Sequence, residues 1–165
     1  MPKKESAVCN SYYNVSPECW DLYTEVLAAE YGNAFLYGRI HELTVDAYAV
    51  QHAGAKHPDK SVMVHLTGLH LAFVRGLQSF QIPPVLQSLA SSVQIWPHFT
   101  PVEEKVSITV FDVALCSTTE EHIQVVREWA GSIWKAWTPY HYDIANFISN
   151  HSKELIDVET SKRNV

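Results

Sequence analysis

Apolar residues recur at intervals of three and four along most of this chain, the spacing that lines one face of an α-helix. Cys19, Tyr23, Val26, Leu27 and Glu30 share such a stripe. Ser16-Pro17 opens it: Ser is a good N-cap, and Pro suits the first helical position, where its missing N–H would be unpaired anyway. Gly32-Asn33 closes it. A second helix is predicted over 36–52 with Ile40, Leu43, Ala47 and Val50 as its stripe. A third, over 61–78, presents Val62, Leu66, Leu69, Phe73 and Leu77. Pro83-Pro84 starts a shorter helix that runs to about residue 93. Thr118 and Glu121 have the capping-box spacing, so a long helix should follow to Trp137, with a last one over 140–150. The segment SITVFDVAL (107–115) suits a strand or a short helix. A lone strand would have no partner, which favours a helix capped near Thr109. Residues 1–14 read as an irregular arm and 158–165 as a polar tail. No repeat or linker divides the chain, and about six helices with short connections make a single all-α domain, an antiparallel bundle.

Composition narrows the setting. At 165 residues the chain fits one domain, and 47% apolar residues support a core. The net charge of −6, without a Lys/Arg run, argues against a nucleic-acid partner. Apolar stretches are broken well before ~18 residues, which argues against a membrane span. Met1–Ser6 is polar with no apolar segment after it, so no signal peptide is expected. Cys9, Cys19 and Cys116 are odd in number and widely spaced, which argues against a disulfide scaffold and for a reducing, cytoplasmic setting. Five Trp and eight Tyr are core fillers that also line small-molecule pockets.

The chemistry concentrates in HELTVDAYAVQH (41–52). His41, Val45, Tyr48 and His52 fall on one helical face, and Asp46 and Gln51 add polar groups. His41 and His52 lie eleven residues apart, about 16 Å along the axis, too far to share one ion. The helix ends therefore serve different points: the His52 end, with Tyr48 one turn back, is the candidate site, and the His41 end a structural hydrogen-bond site. The segment is not a metalloprotease helix, because Val45 stands where the second His is required. No Glu-x-x-His occurs, so the di-iron carboxylate pattern is absent. His65 and His70 are five apart, about 140° around a helix, and point in different directions. Cys19, in the first turn of its helix, would have its thiolate favoured by the helix N-terminus. With Cys9 and a histidine it could hold a metal; alone with a nearby His it could be a nucleophile.

Four segments, SPECWDLYTEVLAAEY (16–31), HELTVDAYAVQH (41–52), KSVMVHLTGLHLAFVRGL (60–77) and EEHIQVVREWAGSIWKAW (120–137), resemble a family of bacterial proteins classed only as a domain of unknown function. The resemblance implies a helical fold. Many of those relatives begin with a C-P-x-C-G segment resembling half of a zinc knuckle, for which the Cys of the S-P-x-C-W segment would be a third ligand. Here that cysteine is Cys19, while Cys9 stands without a C-x-x-C partner.

The expectation is a metal-dependent helical-bundle enzyme acting on a small molecule, its reaction open, in a chain that could form a homo-oligomer. The candidate catalytic residues are His52, Tyr48 and Asp46. The candidate ligands for a divalent transition metal, zinc or iron, are His41, His52, His65, Cys19 and Cys9. One alternative is a non-enzymatic binding module whose polar cluster is a structural network and whose exposed aromatics mark the partner surface. Another is a thiol enzyme using Cys19.

Overall fold

The computed structural model describes residues 17–54, 57–103 and 106–151. Among them are seven α-helices and no strand: α1 (Pro17–Tyr31), α2 (Ala34–Gln51), α3 (Asp59–Phe73), α4 (Ile82–Ser92), α5 (Val110–Ala114), α6 (Thr119–Ala136) and α7 (His141–His151). Single 3₁₀ turns precede α4 (Ser79–Gln81) and α7 (Thr138–Tyr140). Ser16 and the two terminal segments lie outside the described residues.

The caps explain most boundaries. Asn33 accepts from the Phe35 and Leu36 backbone N–H groups, so α2 starts two residues earlier than its apolar stripe suggests. The ambiguous segment is helical: Thr109 accepts from Phe111 N–H, and the Asp112 carboxylate accepts from Thr109 N–H at 2.8 Å. At α6, Thr118 accepts from Glu121 N–H as expected. The return bond shifts by one, since the Glu121 carboxylate takes Ser117 N–H instead. The third helix stops at Phe73, short of the predicted 78. Gly76 adopts φ +69, and Leu77 N–H turns back to the Leu71 carbonyl. A left-handed residue of this kind ends a helix, and glycine reaches it without Cβ strain.

Helix α2 is the axis of the bundle, in contact with α1, α3, α6 and the first 3₁₀ turn. Its buried residues include the predicted stripe of Ile40, Leu43, Ala47 and Val50, and also His41, Thr44, Asp46, Tyr48 and Gln51. Its polar face is therefore buried like the apolar one, packed against neighbouring helices instead of water. Around it the core continues through Met63, Leu66, Leu69, Trp129, Ile133, Trp137 and Ile144, all essentially inaccessible. Each fully buried aliphatic side chain contributes about 1.5–3 kcal/mol of transfer free energy. The three tryptophans of α6 and its C-cap, Trp129, Trp134 and Trp137, are core residues, at 0%, 8% and 1% exposure. Burying the polar side of α2 obliges its polar atoms to find partners, and those partners define three stations along the helix.

Candidate functional site

The first station lies where the C-terminal end of α2 meets the first turn of α1. Cys19 Sγ is fully buried, 3.5 Å from His52 Nε2 and 3.6 Å from Tyr48 Oη. His52 Nδ1 donates to the Tyr48 carbonyl one turn back, at 2.8 Å. That bond fixes the tautomer and leaves the Nε2 lone pair facing the sulfur. Burial holds the His52 pKa below its ordinary value, against the opposing pull of the Tyr48 carbonyl, and the nearby His57 lowers it further. Tyr48 stacks on Tyr23, with centroids 3.8 Å apart, and burial pushes its phenol up to about 12. The expected pairing of Tyr48 with His52 is thus present, with Cys19 between them.

Cysteine counting misleads at this point. Cys19 is disulfide-bonded, and Cys116 is free. An odd count leaves room for one bridge, so it excludes no disulfide and carries no reading of the redox compartment. In this form Cys19 is not a nucleophile, which removes the basis for a thiol enzyme using it as it stands. Cys9 lies outside the described residues.

The second station joins the middle of α2 to α3. Asp46 is fully buried, and its Oδ1 is hydrogen-bonded to His65 Nδ1 at 2.8 Å. Its Oδ2 has no hydrogen-bond partner. The His65 side chain keeps 22% of its surface exposed. Among the described residues its Nε2 makes no hydrogen bond, and the side chain reaches the surface only in part. Desolvation raises the Asp46 pKa well above the ordinary carboxyl value and lowers that of His65. Glu42, one turn before Asp46, is pushed up to about 7, chiefly by burial and secondarily by the Asp46 charge, with His65 and His41 opposing. Gly68 of α3 makes this station possible, because a Cβ there would fall 2.6 Å from Asp46 Cγ.

The third station is at the N-terminal half of α2. The fully buried Glu30 carboxylate accepts from His41 Nδ1 (2.8 Å), Thr44 Oγ1 (2.6 Å) and His122 Nε2 (3.1 Å), tying α1, α2 and α6 together. The His41 end of α2 is thus engaged in a buried hydrogen-bond network. Gln51 is structural too. Its amide donates to the Ile108 carbonyl at 3.2 Å and accepts from the Trp129 indole at 3.0 Å, so it turns away from His52.

The five candidate ligands do not converge. Among the described residues no three His, Cys, Asp or Glu side chains are grouped to hold a metal ion. Cys19 and His52 are together; His65 goes to Asp46 and His41 to Glu30. The candidate catalytic residues divide as well, with Tyr48 at the Cys19 station and Asp46 at the His65 station. Glu42, Gly68 and His122 are site residues that sequence reasoning passed over. A glycine inside a strong helical stripe costs about 1 kcal/mol against Ala, and that cost is the signal at position 68.

A family model described as a family of unknown function, DUF5946, matches residues 4–138. No curated protein and no solved structure matches the chain. No helix among the described residues is long and apolar enough to cross a membrane.

Proposed function

The chain belongs to the DUF5946 family, and on its own geometry we propose that it is a metal-dependent enzyme acting on a small molecule, with a zinc-class ion held between α1 and α2. The ligands are the thiolate of reduced Cys19 and His52 Nε2, with Cys9 as the third. One observation carries this reading: the 3.5 Å from Cys19 Sγ to His52 Nε2. Zn–S near 2.3 Å and Zn–N near 2.0–2.1 Å at a tetrahedral angle separate the two atoms by about 3.6 Å. The support behind His52 is of the same kind, since ligating histidines usually donate their other ring N–H to a carbonyl or carboxylate, as Nδ1 does to Tyr48. The test is titration of reduced protein with cobalt(II) as a spectroscopic stand-in for zinc. Thiolate-to-cobalt absorption is expected in the wild type and its loss in Cys19→Ser and His52→Ala. Reduced, folded wild type that binds neither cobalt nor zinc would sink the reading.

A second reading, a non-enzymatic interaction module, has one observation in its favour. Tyr31, Phe35 and Tyr37 are exposed, and the Tyr31 and Tyr37 rings are 5.2 Å apart. An exposed aromatic group of this size fits a partner surface. Reduced protein that takes no metal, but whose self-association or partner binding falls in Tyr31→Ser/Tyr37→Ser, would favour it over the first.

A further inference from the structure

Asp46 is buried at a cost that its surroundings do not offset. A carboxyl group taken from water needs partners for both oxygens, and Asp46 has one, His65 Nδ1. The fold accepts a second cost to keep it there. Position 68 is glycine inside α3, since any side chain would collide with the carboxylate. What these two costs secure is the orientation of one imidazole. With Nδ1 engaged by Asp46, His65 keeps Nε2 outside that contact, on a side chain that is partly exposed. A core that needed only packing would fill this space with apolar groups. A surface that needed only a histidine would not require a buried carboxylate behind it, as His98 and Asp59 illustrate: they make the same contact at 2.7 Å with both side chains exposed.

We infer that Asp46, His65 and Glu42 form an acid–base site that hydrolyses a small uncharged acyl compound, an ester or amide. His65 Nε2 takes a proton from water as the water oxygen bonds to the carbonyl carbon. The bond from that carbon to the leaving oxygen or nitrogen then breaks. The Glu42 carboxyl supplies the proton to the leaving group, and the imidazolium returns its proton through solvent to Glu42. One water is consumed, with one acid and one alcohol or amine released. Asp46 is a positioning residue that holds the tautomer. Glu42 suits the acid role because burial keeps its carboxyl protonated up to about 7, and acids and bases work best with pKa values near the working pH. No Lys or Arg charge acts on Glu42, Asp46 or His65, so nothing there would hold a phosphate or carboxylate, which selects for an uncharged substrate. The site uses none of the residues proposed to hold metal and stands whether or not a metal binds at Cys19.

The test is hydrolysis of 4-nitrophenyl acetate and phenyl acetate near neutral pH, with and without chelator, alongside ¹⁵N spectra of the His65 ring. The wild type should exceed the buffer rate, and His65→Gln should lose at least about tenfold, within the range general acid–base groups supply. His98→Gln should leave the rate unchanged. Asp46→Asn should lower the rate and, in the same sample, mix the His65 tautomers. Glu42→Gln should slow phenyl acetate more than 4-nitrophenyl acetate, whose leaving group needs a proton less. The ring spectrum needs no variant, so a folding failure does not leave the matter open: His65 protonated at Nε2 in the wild type would overturn the inference. So would equal rates for wild type and His65→Gln.

Discussion

The Asp46 carboxylate and the α-carbon of Gly68 occupy complementary spaces: the position a Cβ would take at residue 68 falls inside the carboxylate. The pair fixes how closely α2 and α3 approach, and it is the point where side-chain chemistry and helix packing depend on one another. Gly68→Ala should therefore destabilise the protein. Helix propensity alone predicts the opposite sign, a gain of about 1 kcal/mol. Overpacking a tight contact costs about 1–3 kcal/mol, and the carboxyl group is fully buried with one oxygen held by His65. Chemical denaturation should show a net loss. Asp46→Ala/Gly68→Ala should recover part of it, because the small side chain at 46 vacates the space. Additive losses in the double variant would mean that the two residues are not coupled.

Gln51 gives a cleaner case, a buried polar residue with a structural role alone. Its side chain connects the Trp129 indole to the Ile108 carbonyl, joining α2, α6 and the segment before α5. Gln51→Leu keeps most of the volume and leaves both groups unpaired. An unsatisfied buried donor or acceptor costs about 1–3 kcal/mol. Thermal unfolding should shift down accordingly, while cobalt binding by reduced protein and the ester hydrolysis rate stay at wild-type values. A loss of either signal in folded Gln51→Leu would place the residue in a functional site after all.

The parts of this molecule that local pattern encodes are legible in its sequence. The stripe of Ile40, Leu43, Ala47 and Val50 identifies a helix because burial of one face is a local, periodic demand. Thr109 and Thr118 mark starts because capping involves only neighbours within three residues. The tie between Tyr48 and His52 is one turn long and equally readable. What local pattern does not carry is which helix faces which. His65 pairs with Asp46 across 19 positions and His122 with Glu30 across 92. The polar face of α2 stands out in the sequence, but nothing in it says that α1, α3 and α6 surround that face. Hints exist nonetheless. Glu30 stands on the apolar stripe of α1, and a carboxylate there predicts a buried network, though not its partners.

Acid should unfold the protein partly through His70. It is buried on α3, its Nδ1 unpartnered and its ring edge-on to Trp134 at 5.8 Å. Burial lowers its pKa to about 4, and the charges of Arg75 and His141 act in the same direction. A histidine with a depressed folded pKa contributes stability that is present above its unfolded value, ordinarily ~6.5, and is lost as pH falls toward about 4. Glu42 works the other way: its folded pKa is raised to about 7, so its contribution is present below the ordinary carboxyl value and lost as pH rises through 7. Urea midpoints should show His70→Leu losing less stability than wild type between pH ~6.5 and ~4. Glu42→Gln should lose less than wild type as pH rises to neutrality. Parallel pH curves for wild type and either variant would refute the assignment for that group.

Glu30 supplies the sharpest separation of structure from chemistry. Its carboxylate accepts from two imidazoles and a hydroxyl, all drawn from other elements and all largely buried. Glutamine at 30 is nearly the same size but offers one accepting oxygen and turns N–H donors toward groups that are themselves donors. Oε1 is shared by Thr44 and His122 and Oε2 serves His41, so whichever way the amide is placed, at least one partner loses its acceptor. The cost should be about 1–3 kcal/mol, more than for a typical surface substitution and seen as a lowered denaturation midpoint. Along α2 the Cys19–His52 end lies about 16 Å from His41, and among the described residues no hydrogen bond links Glu30 to the Asp46–His65 pair. Folded Glu30→Gln should therefore bind cobalt as wild type does and keep its ester hydrolysis. A variant that stays as stable as wild type would show that this network does not hold the three helices together. One that stays folded yet loses hydrolysis would move the active centre from His65 to the His41 end of the helix.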